Sequence, residues 1–367
     1  MRKFILTQNR SERLSQTLAS VLQDYRRSFS NIALLTATLF LLLLTLEVIL
    51  RLWPAEILGQ EFVTAVLHKY TTAPDGIYYY DPALKMHFMK PNFKTDQYWN
   101  GYRWRHETDG LGFRNVQTRM RGDVILLGDS MIYGHGANIG ETVGVLLEQF
   151  IPYAVINLGT QGHCAFQEMY LVHEYVPKLK PQYIIYFFFE NDISDLYAIL
   201  TDEEMSNFIQ RNVSEITFRP RTDPKTLIRH ASFFGLFPPK LYLFRAFDML
   251  KFKLRKQRQH EKPVAIDAVP DVNNEDTIGW KYTKQAILYM DAVAKSHQAK
   301  LIIVPITNKS YYGILKKFAA QHGLLFAEKS DVYTWGPTHF FPGDGHFNAA
   351  GATRMAKIVA DYLKDQS

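Results

Sequence analysis

The stretch Val124-Ile-Leu-Leu-Gly-Asp-Ser-Met131 decides how the rest of this 367-residue chain is read. Four consecutive apolar residues are too few for a helix and lack the polar alternation of a half-exposed strand, so they read as a strand buried on both faces. Gly128, Asp129 and Ser130 break the run, and a helical pattern follows. A serine placed there stands on a sharp turn at the carboxyl edge of a sheet. It lies close to a helix N-terminus whose free N–H groups and dipole favour a developing negative charge.

Outward from this stretch the same signature repeats. Short apolar runs at Ala154 to Ile156, Tyr183 to Phe188, Leu301 to Val304 and Leu324 to Ala327 are separated by helical patterns at Thr142 to Phe150, Gln167 to Val176, Trp280 to Ser296 and Tyr311 to Gln321, with a last one at Ala349 to Leu363. Buried strands alternating with helices predict a parallel sheet covered on both faces, a doubly wound α/β fold that binds ligands at the carboxyl ends of its strands. The alternation fails between about 197 and 276, too long for a plain connection, and this reads as an inserted cap. Within it, Lys240 to Lys262 mixes aromatic with basic residues. The simpler reading is a cap helix with a solvated charged face. A basic amphipathic helix resting on anionic lipid or an acidic glycan is the alternative.

Composition and charge set the surroundings. With 47% hydrophobic and 21% charged residues the chain is an ordinary globular protein, which excludes a disordered tail, a collagen-like fibre and a disulfide scaffold. The net charge of +6 would suggest an anionic partner, but +4 of it lies in residues 1–30, where six basic side chains meet only Glu12 and Asp24. From residue 54 onward the excess is only +2, so nucleic acid is not an expected partner. Ser28 to Leu46 holds 19 residues without a charge, and the apolar character resumes after Glu47. Residues 31–53 therefore read as an uncleaved transmembrane helix, with Glu47 and Arg51 near one headgroup layer, Trp53 as an interfacial anchor and Pro54 as its stop. The basic residues before the span place the N-terminus in the cytoplasm and the remainder outside, which is the periplasm if the cell is Gram-negative. Residues 54–120, rich in aromatics and turn formers, read as an extracytoplasmic lead-in of irregular chain and small strands, and 121–367 as the main domain.

A serine nucleophile needs a base. Pro342-Gly-Asp-Gly-His-Phe-Asn348 offers His346 on a loop before the last helix, with Asp344 to fix its tautomer and support the imidazolium. Two more polar clusters follow strands, at Ile156-Asn-Leu-Gly-Thr-Gln-Gly162 and Phe188-Phe-Glu-Asn-Asp192. A glycine N–H and an asparagine amide suit an oxyanion hole because neither brings a competing charge. Asp129, Asp192, His135 and His163 are expected to line the cleft. His339, Asp344 and His346 have metal-ligating chemistry, but no second pair such as His-Glu-x-x-His accompanies them, so neither metal nor cofactor is expected. No Gly-x-Ser-x-Gly elbow, dinucleotide fingerprint or phosphate-binding Gly-Lys-Ser/Thr is present.

Together these four ordered blocks resemble the SGNH or GDSL hydrolase superfamily over about residues 121–364, with the cap as an insertion. The resemblance implies a flavodoxin-like three-layer α/β/α sandwich. It makes Ser130 the nucleophile and its N–H one oxyanion donor, Gly162 the second donor, Asn191 the third and His346 the base. Members act on esters, thioesters and O-acylated glycans, usually without a metal. Asp109-Gly-Leu-Gly-Phe-Arg114 is similar to a segment of membrane-anchored bacterial members and is given no catalytic role. Three departures stand out. Gly343 occupies the place of the usual Asp three before the base, which moves that role to Asp344. Met131 replaces Leu. Glu190 replaces Gly before Asn-Asp and is expected to point away from the oxyanion site or to touch the cap.

The expectation is a membrane-anchored serine esterase that removes ester groups, O-acetyl above all, from an envelope or exported glycan through an acyl-enzyme on Ser130. Its partners would be the membrane, the acylated glycan and envelope polysaccharide machinery. An acyltransferase using the same triad, and an anchored glycan-binding or assembly subunit with a decayed site, are the alternatives.

Overall fold

The structure, a computed structural model, describes residues 2–60, 76–231, 242–244, 250, 254, 274–307, 309–328 and 330–366. The chain divides into two compact units, one formed by Met1–Gly59 with Lys240–Lys253 and the other by Gln60–Pro239 with Leu254–Ser367.

In the first unit, α1 runs unbroken from Arg2–Leu52, and Tyr25–Leu52 within it is long and apolar enough to cross a membrane. The helix stops one residue before Trp53, and Pro54 opens a new short helix, α2 (Pro54–Leu58). Proline is suited to a first helical turn, where its missing N–H would have no partner anyway.

The second unit begins with two antiparallel hairpins, β1 (Tyr78–Asp81) with β2 (Met86–Met89), and β3 (Lys94–Trp99) with β4 (Tyr102–Glu107). Then come β5 (Val124–Leu127), α3 (Ser130–Tyr133), α4 (Val143–Leu147), β6 (Val155–Asn157), α5 (Ala165–Leu179), β7 (Tyr183–Phe189) and the short helices α6 (Asn191–Ser194) and α7 (Leu196–Ile199). After α8 (Asp202–Ile209) and α9 (Pro224–Ala231), the chain continues through α10 (Ile278–Ser296), β8 (Lys300–Ile306), α11 (Lys309–His322), β9 (Leu325–Phe326) and α12 (Ala349–Lys364).

Strands β6-β5-β7-β8-β9 form one parallel sheet in that order. The chain winds one way from β5 to β6 and the other way from β7 to β9, which is the flavodoxin-like order with its switch point between β5 and β7. Alternation along β5 feeds both cores: Ile125 and Leu127 pack with Tyr170 of α5 and Trp280 of α10, while Val124 and Leu126 pack with Val143 of α4 and Met355 of α12. Each face of the sheet is therefore covered by helices, as uniformly apolar strands require.

The hairpins are not a loose lead-in. Tyr79, Met86 and Phe88 join the same core as α5. The described part of the inserted region, α7 to α9, packs along α10 and β1. Residues 232–241 and most of 245–273 lie outside the described residues, so of the Lys240 to Lys262 stretch only Tyr242, Leu243, Phe244, Leu250 and Leu254 are described.

Candidate active site

The β5 strand ends at Leu127, and Asp129 caps the next turn by accepting the Met131 N–H at 2.9 Å. The helix that carries Ser130 is a single turn, stopped by Gly134 in the left-handed region at φ 79°. The long-helix dipole expected behind the nucleophile is thus absent, and local N–H groups must carry that role. The β6 loop crosses so close that a Cβ on Gly159 would sit 2.6 Å from the Tyr133 nitrogen. Only glycine fits there.

Ser130 Oγ and His346 Nε2 are 2.8 Å apart, although 216 residues separate them in the chain. On the far side of the ring, His346 Nδ1 hydrogen-bonds Asp344 Oδ1. The same carboxylate accepts the His346 backbone N–H at 3.0 Å. This local turn explains how an Asp-x-His spacing serves: the side chain of Asp344 folds forward onto the residue two ahead and meets its ring as well. Asn348 caps α12 and donates from Nδ2 to the carbonyls of Thr338 and Phe340, which fixes the loop from behind. Ser130 Oγ also lies 3.3 Å from Asp129 Oδ2, a longer contact than the one to His346.

The sequence did not reveal that the β3–β4 hairpin builds one wall of this site. Along β4, residues 102, 104 and 106 share one face by the two-residue period of a strand. Tyr102 donates its phenol to Asp344 Oδ2 and stacks on Phe341 at 4.4 Å. Trp104 lies 4.6 Å from the His135 ring, and His106 Nδ1 meets the Tyr133 hydroxyl at 2.7 Å. The signal available was the alternation Tyr-Arg-Trp-Arg-His, which marks a one-sided strand without naming what its face meets.

Arg114 fastens this hairpin to the nucleophile turn. Fully buried, it donates to the carbonyls of Gly134 at 2.7 Å, Ala137 at 2.8 Å, Arg105 at 3.1 Å and Tyr133 at 3.3 Å. Asp109 organises the preceding turn by accepting the Leu111 and Phe113 N–H groups, both at 2.9 Å. The Asp109 to Arg114 segment is therefore a structural buckle.

Electrostatics agree with an ionised acid beside the base. Burial opposes ionisation of Asp344, but hydrogen bonds from His346 and Tyr102 hold its carboxyl well below the usual range. His135 lies with its ring 4.3 Å from that of His346, and burial followed by the charge of His346 pushes its pKa down to about 3. A neutral neighbour leaves room for one positive charge in the pair. One ligand atom each from His135, Asp344 and His346 lies within 4.8 Å of the others, whereas His339 belongs to a separate contact with Trp335. Both Asp344 oxygens already accept hydrogen bonds, an arrangement that suits an orienting acid better than a metal ligand.

Other expected site residues fall differently. Gly162 lies in the loop after β6 at φ +67°. Asn191 opens α6 at the end of β7, but its Nδ2 donates to Asp195 Oδ2 at 3.2 Å and also hydrogen-bonds Asp129, so it is not a free oxyanion donor in this arrangement. Asp192 and His163 do not line the cleft. Asp192 is fully buried, accepting from the Tyr186 hydroxyl at 2.8 Å, and His163 is fully buried against the His87 carbonyl at 2.9 Å. Polar residues at strand ends read as exposed, and here the β1–β2 hairpin covers His163 through His87, while Asp192 turns back onto Tyr186 of β7. Asp129 is likewise buried beneath Ser130, where burial raises its pKa. Glu190, expected to point away from the oxyanion site or to touch the cap, accepts from the Thr307 hydroxyl beyond β8 at 3.2 Å. Cys164 is buried, and burial raises its thiol far from a reactive range.

No protein-family model and no curated protein matches this chain. Among solved structures it is similar to TesA, at 11% identity over 66% of this chain and 98% of that one, with a TM-score of 0.37. It is also similar to an acetylxylan esterase from Geobacillus stearothermophilus, at 14% identity over 65% and 93% of the two chains with a TM-score of 0.35. A lipase/acylhydrolase from Enterococcus faecalis is similar at 15% identity over 67% and 97%, with a TM-score of 0.37. These are likenesses of outline, and the chemistry is argued from the site itself.

Proposed function

We propose that this chain is a membrane-anchored serine esterase of the SGNH type. The observation that carries the reading is the continuous path Ser130 Oγ to His346 Nε2 and His346 Nδ1 to Asp344 at the carboxyl edge of the parallel sheet. His346 takes the proton as Ser130 Oγ attacks the ester carbonyl, and Asp344 stabilises the imidazolium. The tetrahedral oxyanion is held by the N–H groups of Ser130 and Gly162, with the Asn191 amide joining once it exchanges Asp195 for the oxyanion. His346 then protonates the leaving alcohol, leaving an acyl group on Ser130. A water deprotonated by the same ring releases the acid.

The preferred substrate class is an O-acetylated envelope or exported glycan, since an outward-facing enzyme beside an N-terminal anchor meets such esters first. The engaged triad weighs against a decayed site. The test is turnover of a chromogenic acetyl ester by the full chain in detergent. Ser130→Ala and His346→Ala should each lower kcat by at least about 10³-fold. Equal rates in all three proteins would refute the mechanism, and product analysis with a glycan acceptor present separates hydrolysis from transfer.

A further inference from the structure

Between Tyr25 and Leu52, α1 is exposed along its length except near its end, where Glu47 is 6% and Leu50 3% exposed. The segment covering Glu47 comes from the inserted region. Glu47 accepts the Tyr242 N–H on Oε1 and the Leu243 N–H on Oε2, both at 3.0 Å, and Arg51 pairs with it at 2.6 Å while lying 5.4 Å above the Tyr242 ring. A carboxylate inside an apolar span is costly unless it is paired, and here two backbone N–H groups and one guanidinium satisfy it.

This contact fixes a depth. Glu47 lies five residues before the end of α1, about 7.5 Å at 1.5 Å per residue. The polar layer of a bilayer leaflet is roughly 5–8 Å thick, so residues held by Glu47 sit at the boundary between headgroups and chains. From that position Phe244 is 60% and Leu250 53% exposed, large apolar side chains that face outward. The surrounding sequence, Lys240 to Lys262, holds eight basic residues against Asp248 and Glu261, a net +6. The whole outward part beyond residue 53 carries only +2, so its positive charge is concentrated in this stretch of sequence.

We infer that Phe244 and Leu250 form a second membrane contact, inserted into the headgroup boundary of an anionic bilayer next to the anchor. The apolar side chains enter the boundary and the basic ones meet lipid phosphates, the chemistry of an interfacial amphipathic segment. The inference rests on Tyr25–Leu52 being a span and is independent of the esterase reading.

The single native cysteine, Cys164, is buried, so Phe244→Cys and Leu250→Cys can each be labelled selectively with a small fluorophore in the full chain. Val116→Cys, at a residue 70% exposed, serves as the aqueous control. In nanodiscs containing phosphatidylglycerol, acrylamide should quench positions 244 and 250 several-fold less than 116, and lipids with a shallow nitroxide should quench them strongly. Both contrasts should shrink in pure phosphatidylcholine discs. Acrylamide quenching at 244 and 250 equal to that at 116 overturns the inference, and protection independent of anionic lipid overturns its assignment to an anionic surface. A chain that never enters the discs overturns the span reading and this inference with it.

Discussion

Two loops of very different origin meet at Asp344. The C-terminal loop, Phe341 to Asn348, supplies the acid and the base and announces itself by composition. The β3–β4 hairpin, 242 residues earlier at Tyr102, supplies no reacting group yet holds the second oxygen of the same carboxylate. In the proposed mechanism the first decides whether the reaction can occur, and the second how still its acid is held. Chemistry is thus concentrated at the sheet edge, while orientation comes from an element outside the α/β layers.

The contrast can be broken at either end. The largest effect should come from Asp344→Asn, which keeps the shape but removes the charge that supports the imidazolium. A fall in kcat of about 10⁴-fold in steady-state ester hydrolysis is expected. Next is Arg114→Met, which removes four donated hydrogen bonds, three of them buried, and unfastens the hairpin from the nucleophile turn. A stability loss of about 3 kcal/mol or more should appear in urea unfolding of the second unit.

Tyr102→Phe keeps the stacking on Phe341 but removes one hydrogen bond to a charged group. It should lower kcat about tenfold with KM unchanged. A change in KM alone would make the hairpin a binding wall and erase the division of labour drawn above.

The smallest effect tests the burial that the hairpins impose. Burial pushes the pKa of His163 from 6.5 down to about 3, so the fold favours its neutral form. That stability is complete above pH 6.5 and is lost as pH falls below it, because the unfolded chain then binds the extra proton. His163→Gln should therefore flatten the acid limb of the stability curve by about 1 kcal/mol between pH 7 and 5.5, followed by thermal unfolding.

How much was legible follows the same division. The parallel sheet could be read because each strand is apolar throughout, and the strands and helices fall within a few residues of their expected places. Ser130, His346 and Asp344 could be read because reacting groups sit in loops whose residue types have no better use. Tyr102 could not, since one tyrosine in an alternating strand says only that one face is covered. The burial of His163 was also hidden, because it depends on His87 of a hairpin far away in the chain. The helical pattern expected after Ser130 is a single turn, and its stop lies in the left-handed backbone of Gly134.

The grip of Arg114 has a consequence for how such a site can change over time. Every hydrogen bond it makes to the nucleophile turn goes to a main-chain oxygen and none to a side chain. Gly134 and Gly136 are required by their left-handed backbone, but the grip of Arg114 does not depend on the side chain at position 135. Replacements at His135, which faces the catalytic imidazole, can be tried by selection while the position of Ser130 is conserved. The turn is a socket with a fixed frame and an exchangeable lining, and a shift in substrate preference can begin there without a new fold.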